Sequence, residues 1–406
     1  MGDTNSQLRV LVVTSDPFWQ HHRGSSQRIR TMLDYLITFC DVTICFIGEL
    51  TIREWTEATA ILPCQIVGPG EPGKVAASIV GTAAKWLSNH EARKGDEPIQ
   101  SEPVSLEVFE SELIANYVAE LAKDNFDWVL LEYVTLSYLC PAIRDVNVGT
   151  MIDTHDAMSI RCDEFKRLGL QSWLDIDVQS EIIALDRADV VLAIQPVEQE
   201  YFESHGLKGK VVLATHAAEF SGSAKSADEP FTLGFVGSRG EANVSDLCYW
   251  LSHGWPKVRE GLPGVRLLIA GSISREDIPS NHLEGVEFIG RVPFLADFYS
   301  KISVAINPAQ FASGMKIKSL EAIAHGVPLI TTAAGGAGLE SAAEQGCMKV
   351  CEDPDSFASA IVELAEDQNQ LRKMANQCRG VVESTFGPDQ VFRALKNRLM
   401  SKRDGS

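Results

Sequence analysis

Phe231-Thr-Leu-Gly-Phe-Val236 is a short apolar run, and Gly237-Ser-Arg-Gly240 follows it before a helical pattern opens near Val244. A strand, a small-residue loop and a helix in that order read as the start of an open α/β layer. The same order occurs near the amino end: Leu8-Arg-Val-Leu-Val-Val13, a loop, then a helical pattern from about Ser26 to Phe39. Strand-like runs recur after each opening. Val42–Ile47, Trp128–Leu131, Gly149–Ile152, Val190–Ile194 and Val211–Ala214 follow the first; Val265–Ala270, Val286–Ile289, Val304–Ile306 and Pro328–Thr331 follow the second. Helical patterns between most of them predict parallel sheets covered on both faces. The chain reads as α/β, with two doubly wound, Rossmann-like domains in tandem. The small, polar, aperiodic stretch Ser221–Pro230 marks their boundary. The expected domains are 1–220 and 221–385, with a closing helix and tail over 386–406. Ligands bind outside the carboxyl ends of parallel strands, so residues just after strands, facing a central cleft, are the functional candidates.

Composition narrows the function classes. The chain has 406 residues, 45% hydrophobic and 22% charged, which is ordinary for a folded protein. Lys and Arg number 36 against 55 Asp and Glu, a net charge of −19. Phosphate neutralisation along a nucleic acid needs a basic face, so no nucleic-acid partner is expected. No apolar run reaches the length of a membrane span, and Met1 to Val13 lacks the features of a secretory signal. The nine cysteines sit mostly in apolar runs without CxxC spacing, which fits reduced core thiols in a cytoplasmic protein.

The segment Gly314-Met-Lys-Ile-Lys-Ser-Leu-Glu-Ala-Ile-Ala-His-Gly-Val-Pro-Leu-Ile-Thr-Thr332 carries the most chemistry. Its pattern predicts a helix from about Met315 to His325, closed by Gly326, with Pro328 opening the next strand. A helix N-terminus with Gly314 and two lysines nearby is suited to an anion, because free N–H groups and the helix dipole both favour phosphate. Glu321, further along, can face a ribose hydroxyl pair. The alternative is an ordinary helix with solvated lysines and a glutamate that supports its own helix; spacing alone leaves both open.

The pattern Gly-x-Lys-Ile-Lys-x-x-Glu-Ala-x-Ala-x-Gly-x-Pro-x-Ile-x-Thr, with Gly335-Gly-Ala-Gly-Leu339 after it, resembles the donor-binding segment of family 4 glycosyltransferases, the group 1 glycosyltransferase family. Further matches follow in order. Phe235-Val-Gly-Ser-Arg239 with Asn243 resembles the first loop of the family's nucleotide-binding domain. Phe288-Ile-Gly-Arg-Val292 and Tyr299 resemble the strand and helix before the donor loop. Asp153-Thr-His-Asp156 with Arg161 resembles a stretch of the acceptor domain, and Ala188-Asp-Val-Val-Leu-Ala193 with Glu198 the segment after it. Thr215-His216 sits where the family crosses between domains. The resemblance spans most of the chain except about 55–125 and the last twenty residues.

The resemblance implies the GT-B fold and a retaining transferase of the hexosyltransferase type that needs no metal or other cofactor. A sugar would move from a nucleotide-diphosphate donor to a hydroxyl acceptor: a glycan, a lipid-linked glycan, a protein or a small molecule. The sequence shows no Asp-x-Asp in a plausible position and no His/Cys ligand cluster. Without a metal the leaving diphosphate needs other positive groups. Lys318, Lys316, Arg239 and the backbone around Gly314 are placed to supply them. Residues two apart on a helix diverge, so Lys318 is favoured for the diphosphate, with Lys316 reaching from the loop. Gly237, Asn243, Ser313, Met315 and Glu321 complete the donor set. Ser313 is a departure, because many family members carry a glutamate there. A hydroxyl can bond a sugar but holds no charge.

His155 lies just past an apolar run and can donate to a sugar hydroxyl or to the departing phosphate, with Asp153 and Asp156 to orient it. His155, Asp156 and Lys318 are the catalytic candidates. On the acceptor side, Gly24 allows close backbone approach, Arg28 and Arg30 can reach phosphate, and Glu132 and Arg161 face the acceptor. His21 and His22 read as acceptor-loop residues, not metal ligands. Lys74 to Lys94 is the one candidate for peripheral contact with the inner membrane face, through Val75, Ile79, Ala83, Trp86 and Leu87. Gly81 and the net negative charge weigh against it. Rival readings are a GT-B nucleotide-sugar 2-epimerase, a non-catalytic GT-B subunit and, more weakly, a dinucleotide oxidoreductase. Neither first loop carries a complete Gly-x-Gly-x-x-Gly.

Overall fold

The computed structural model describes residues 7–20, 24–48, 50–68, 103–123, 125–167, 169, 172–222, 230–279, 282–311 and 314–401. They form two compact units: residues up to Ala217 together with those from Val391, and Ala218–Gln390.

The first unit is built on seven parallel strands: β1 Leu8–Thr14, β2 Cys40–Phe46, β3 Gln65–Val67, β4 Trp128–Glu132, β5 Gly149–Asp153, β6 Val190–Ala193 and β7 Val211–Leu213. Their order is β3-β2-β1-β4-β5-β6-β7. Alternate residues of one strand serve two cores. Leu11, Val13, Val129, Leu131 and Ile152 pack into one, and Val10, Val12, Trp128, Leu130 and Met151 into the other. Both faces are buried, so the strands appear in sequence as continuous apolar runs instead of alternating ones.

The second unit has six parallel strands: β8 Thr232–Gly237, β9 Arg266–Gly271, β10 Val286–Gly290, β11 Val304–Asn307, β12 Leu329–Thr332 and β13 Met348–Cys351. Their order is β10-β9-β8-β11-β12-β13. The chain reverses its direction of travel across each sheet at one point, between β1 and β4 and between β8 and β11. The carboxyl ends of those strands are where this fold class leaves a crevice for ligand. They end at Glu132 in the first unit and at Gly237 and Asn307 in the second.

Two details depart from the sequence reading. Strands β3 and β13 were not anticipated, because Gln65-Ile-Val67 and Met348-Lys-Val-Cys351 mix polar with apolar residues over very few positions. The closing helix Arg393–Ser401 is not a separate tail. Val391, Phe392, Leu395 and Leu399 are buried in the first unit's core, and the Trp128 indole N–H donates to the Leu399 carbonyl at 3.2 Å. No disulfide joins any of the nine cysteines, and all but Cys64 and Cys248 are buried. Among the described residues no helix is long and apolar enough to cross a membrane.

Candidate functional site

In the second unit the chain leaves β11 and enters the helix Ile317–Ala324 through Gly314, which is buried at φ +61. A Cβ is strained in that left-handed conformation, so glycine suits the turn. The helix opens later than its pattern suggested. Lys316 is its N-cap residue, with φ −85 and ψ 87, and stands outside the regular helix. The two lysines are thereby released from the divergence that a helix would impose on them. The Lys318 ammonium donates to the Asn243 side-chain oxygen at 2.8 Å and lies 4.7 Å from the centroid of the Phe235 ring. Asn243 in turn donates to the Ser238 carbonyl at 3.1 Å, fixing the turn after β8. Lys316 lies over Phe311 at 5.4 Å.

Burial of the Lys318 ammonium, with Lys316 beside it, lowers its pKa to about 8; Asp246 opposes the shift. Asp246 shares a helix with Asn243, one turn on, and is buried where its carboxylate accepts the Gln310 N–H at 3.1 Å. Glu321 lies one turn beyond Lys318 on the same face, and its carboxylate accepts the Tyr299 hydroxyl at 3.3 Å. The floor is a polar lattice built around Asn307, whose side-chain oxygen is buried without a partner. Asn307 donates to Ser319 Oγ at 2.8 Å and to the Gly335 carbonyl at 3.1 Å, and Ser319 Oγ donates to the same carbonyl at 2.7 Å. A Cβ at Gly335 would meet Thr331 Oγ1 at 2.3 Å and the Asn307 carbonyl oxygen at 2.4 Å, so no side chain fits there.

In the first unit, β4 and β5 run in register with Glu132 opposite Asp153. His155 Nε2 lies 2.6 Å from Glu132 Oε2 and 3.6 Å from Asp153 Oδ2. Tyr133 stacks on the imidazole, ring centroids 4.0 Å apart and 10° from parallel. Both residues have left-handed backbones, Tyr133 at φ +76 and His155 at φ +59. Such strain costs on the order of 1–3 kcal/mol each and persists only where the surroundings enforce it. Burial acts to lower the His155 pKa, but the carboxylates of Asp153 and Glu132 outweigh it and hold the imidazole above its ordinary value. Burial pushes Glu198 up to about 8, with Asp156 adding to it. Its carboxylate accepts the Ile194 N–H at 3.3 Å and the Ala157 N–H at 3.4 Å. Burial, with Arg28 nearby, drops His216 to about 3, and its Nδ1 is buried without a partner.

Several sequence expectations need correction. Arg28 does not reach for phosphate. Its guanidinium donates twice to Asp153, at 2.7 and 2.6 Å, and to the carbonyls of Ala214 and Thr215 at 2.8 and 2.9 Å, all within the core. Glu132 does not face an acceptor; it is 2% exposed and bound to His155. Asp156 does not orient His155 by any direct bond, because its carboxylate accepts Arg161 at 3.1 Å. No ligand cluster was visible in the sequence, yet Glu132, Asp153 and His155 bring three ligand atoms within 4.8 Å of one another. Both Asp153 oxygens accept Arg28 there, so the guanidinium stands where a cation would.

The remaining candidates are placed as follows. Gly24 is exposed and opens the helix Gly24–Leu36, while Gly237 ends β8. The Arg239 side chain donates to Asp277 at 2.6 Å and its N–H to Ser272 Oγ at 2.8 Å. Met315 is buried before the helix, and Arg30 pairs with Asp34 on its own helix at 2.8 Å. Ser313, His21, His22 and the segment Lys74 to Lys94 lie outside the described residues. Sequence reasoning missed Asp246, Asn307 and Tyr133. Of these only Asn307 left a signal, as the polar residue that closes the apolar run before the donor loop.

Residues 230–367 match the family model described as glycosyl transferases group 1. That stretch contains the Lys318 cluster and the whole of β8 to β13. The second unit is a group 1 glycosyltransferase domain. A curated relative is the GDP-mannose-dependent monoacylated alpha-(1-6)-phosphatidylinositol monomannoside mannosyltransferase of Corynebacterium glutamicum. It is 26% identical over 159 residues, 36% of this chain and 42% of the relative, so the match spans less than half the relative's length. Solved structures resemble the chain over nearly its full length, and the fold is GT-B. Sucrose-phosphate synthase from Thermosynechococcus elongatus gives a TM-score of 0.68 at 14% identity, covering 98% of this chain and 100% of that one. TarM from S. aureus, solved with fondaparinux, alpha-GlcNAc-glycerol and UDP, gives 0.71 at 10% identity, with 97% and 99% covered. HepE from Anabaena, solved with UDP and glucose, gives 0.64 at 13%, with 97% and 100% covered. At such identities the structural likeness speaks for the fold that surrounds the group 1 domain, and for nothing finer.

Proposed function

We propose that this protein is a family 4, retaining, metal-independent glycosyltransferase that moves a sugar from a nucleotide-diphosphate donor to a hydroxyl acceptor. One observation carries the reading. At the β8/β11 crevice a half-buried ammonium, Lys318, is held between Asn243 and Phe235, one helical turn from the carboxylate of Glu321. A partly desolvated cation beside a carboxylate suits a ligand that offers a diphosphate and a vicinal diol. Lys318 neutralises the diphosphate as it leaves, with Lys316 and Arg239 adding to the field. Glu321 takes the ribose hydroxyls and is held for that by Tyr299. Gly314 brings backbone N–H groups toward the phosphates, and Met315 and Ser313 complete the donor set. In the first unit His155 serves the acceptor side, and Arg28 and Glu132 shape it from behind.

The residue chemistry supports independence from metal, because Asp153, one of the trio that could ligate one, already has both carboxylate oxygens bound by Arg28. Cysteines held as thiols and not as disulfides support a cytoplasmic setting. Peripheral contact at the inner membrane face rests on Lys74 to Lys94. It is tested by flotation with anionic vesicles at low salt: a wild type that stays at the bottom removes the contact, and a wild type that floats should lose flotation in Trp86→Glu.

The experiment for the whole reading has two steps. A panel of nucleotide sugars is screened for thermal stabilisation, since a ligand of the native state raises apparent stability. Nucleotide release is then followed with and without candidate acceptors. Release only with an acceptor supports transfer, and release without one points to the epimerase. Stabilisation by no nucleotide sugar would refute the reading.

A further inference from the structure

We propose that His325 is a positioning residue of the donor site: stacked on Tyr299 and anchored at Ser221, it keeps the Tyr299 hydroxyl against Glu321 and so holds that carboxylate in place for a vicinal diol. The inference deepens the nucleotide-sugar reading and rests on it.

Helical spacing sets the arrangement. Glu321 and His325 are four residues apart, so they share one face at the end of the helix Ile317–Ala324, one turn from each other. His325 caps that helix. Its N–H donates to the Glu321 carbonyl at 3.0 Å, and Gly326, at φ +75, turns the chain away. Tyr299 closes the short helix Leu295–Tyr299 and lies across this face. Its hydroxyl donates to the Glu321 carboxylate at 3.3 Å, and its ring stacks on the imidazole, centroids 4.7 Å apart and 20° from parallel. Tyr299 is buried and His325 half-buried. One ring thus reaches both residues, with its hydroxyl at one and its face at the other.

The imidazole is itself held. Nδ1 lies 3.1 Å from Ser221 Oγ, within hydrogen-bond distance, and the Ser221 N–H donates to the Ala324 carbonyl at 3.0 Å. The stretch 220–222 is thereby fastened to the end of the helix. The fit is close: a Cβ at Gly222 would meet the Phe220 ring at 2.6 Å and the His325 carbonyl oxygen at 2.9 Å. The contact between the rings involves no charge. Burial lowers the His325 pKa, so the imidazole is neutral at pH 7. Burial, with Glu321 beside it, pushes the Tyr299 phenol up, so the phenol keeps the proton it donates. His325 therefore acts on Glu321 through geometry. Two neighbouring hydroxyls bond a carboxylate best when its plane is fixed. A loosened Tyr299 weakens the hold on a diol and leaves the attraction for phosphate, which belongs to Lys318, as it was.

Calorimetry with three kinds of probe separates these contributions: the four common ribonucleoside diphosphates, the 2′,3′-dideoxy form of whichever binds, and inorganic pyrophosphate. In the wild type the ribonucleotide binds more tightly than its dideoxy form. His325→Leu removes the aromatic stack and lowers ribonucleotide affinity about tenfold, with the dideoxy form and pyrophosphate within about twofold of the wild type. His325→Phe keeps the stack and most of the diol preference. Ser221→Ala, a change at an exposed residue that leaves the fold undisturbed, shows a smaller loss of the same kind. Tyr299→Phe loses the preference as His325→Leu does, and the double variant loses no more than Tyr299→Phe alone, because both changes act through one hydroxyl. A merely structural role would lower affinity for all three probes by the same factor. That outcome overturns the proposal, as do an unchanged diol preference in His325→Leu and losses that add in the double variant. Binding of no nucleoside diphosphate by the wild type overturns the nucleotide-sugar reading and this role together. Binding with a diol preference indifferent to His325 leaves that reading standing and removes this role alone.

Discussion

On the proposed reading, Lys318 makes the binding of a diphosphate weaken with rising pH in a range where an ordinary surface lysine stays charged and has no effect. Its pKa is lowered to about 8 from 10.5. At about 1.4 kcal/mol for each unit of pKa, the empty site holds about 3 kcal/mol against the charged form. A bound diphosphate reverses that, because its negative charge restores the ammonium. Binding above pH 8 therefore takes up a proton: about 0.1 per site at pH 7 and about 0.9 at pH 9. The same linkage makes Kd for a nucleoside diphosphate rise roughly tenfold from pH 7 to pH 9. A lysine that kept its usual pKa would stay charged over this range and show neither effect. Calorimetry in two buffers of different ionisation enthalpy measures the uptake directly. Lys318→Arg is the control, since a guanidinium stays charged and should abolish the uptake while retaining binding. Proton uptake near zero at pH 9, with Kd unchanged from pH 7, would refute the buried-ammonium argument.

Other perturbations have equally definite outcomes. Arg28→Leu strands the Asp153 carboxylate in the core and should cost about 3–5 kcal/mol, read as a lower urea midpoint with little change in slope. Glu321→Ala should weaken nucleoside-diphosphate binding by about 1–3 kcal/mol in a folded protein; unchanged affinity would remove its ribose role. His216 is held neutral to about pH 3, so below pH 6.5 the unfolded chain takes up a proton that the folded one refuses. Folding stability should fall with acid by about 3 kcal/mol at pH 4.5 from this group, and His216→Phe should lessen that fall in an acid denaturation series. Transfer should survive EDTA; loss of activity restored by Mg²⁺ or Mn²⁺ would expose a metal role for the Glu132 trio.

The two clusters differ in how much of each the sequence could disclose. Gly314, Lys316, Lys318 and Glu321 fall within eight residues, and helical spacing relates Lys318 to Glu321 without any tertiary knowledge. What spacing could not give was the N-cap position of Lys316, or the capture of Lys318 by Asn243 and Phe235, which lie on another part of the chain. The first unit's cluster is assembled by sheet register. Glu132 and Asp153 face one another because β4 and β5 pair, and Arg28 meets Asp153 across 125 positions. In the sequence Arg28 stands at the start of a helical pattern, just after a polar loop, which suggests ligand contact, and no local pattern shows that it is buried. Runs such as Leu8–Val13 and Val304–Ile306 were legible because parallel strands buried on both faces must be apolar throughout. Edge strands β3 and β13 are free of that demand and left no run to find.

On the proposed reading a chain of net charge −19 takes an anionic donor, which sets a physical problem that the second unit's arrangement answers. Exposed charges farther apart than about 8–10 Å are largely screened at physiological salt, so the overall negative field matters little at the site itself. What counts is the local charge and the dielectric around it. An exposed lysine would offer a weak, salt-sensitive attraction. Lys318 is instead withdrawn beneath Asn243 and against the Phe235 ring, where each charge–charge contact is stronger and the uncompensated ammonium is correspondingly uncomfortable. Asp246 prevents that discomfort from discharging the lysine altogether at neutral pH. The site is thereby poised: charged when empty, but only just, and relieved when a diphosphate arrives. The same poise limits product retention, because the empty lysine can shed its proton near pH 8 and with it the charge that holds the nucleotide. A stronger cation such as arginine at 318 should therefore bind the spent nucleotide more tightly and slow its release, even where it improves affinity.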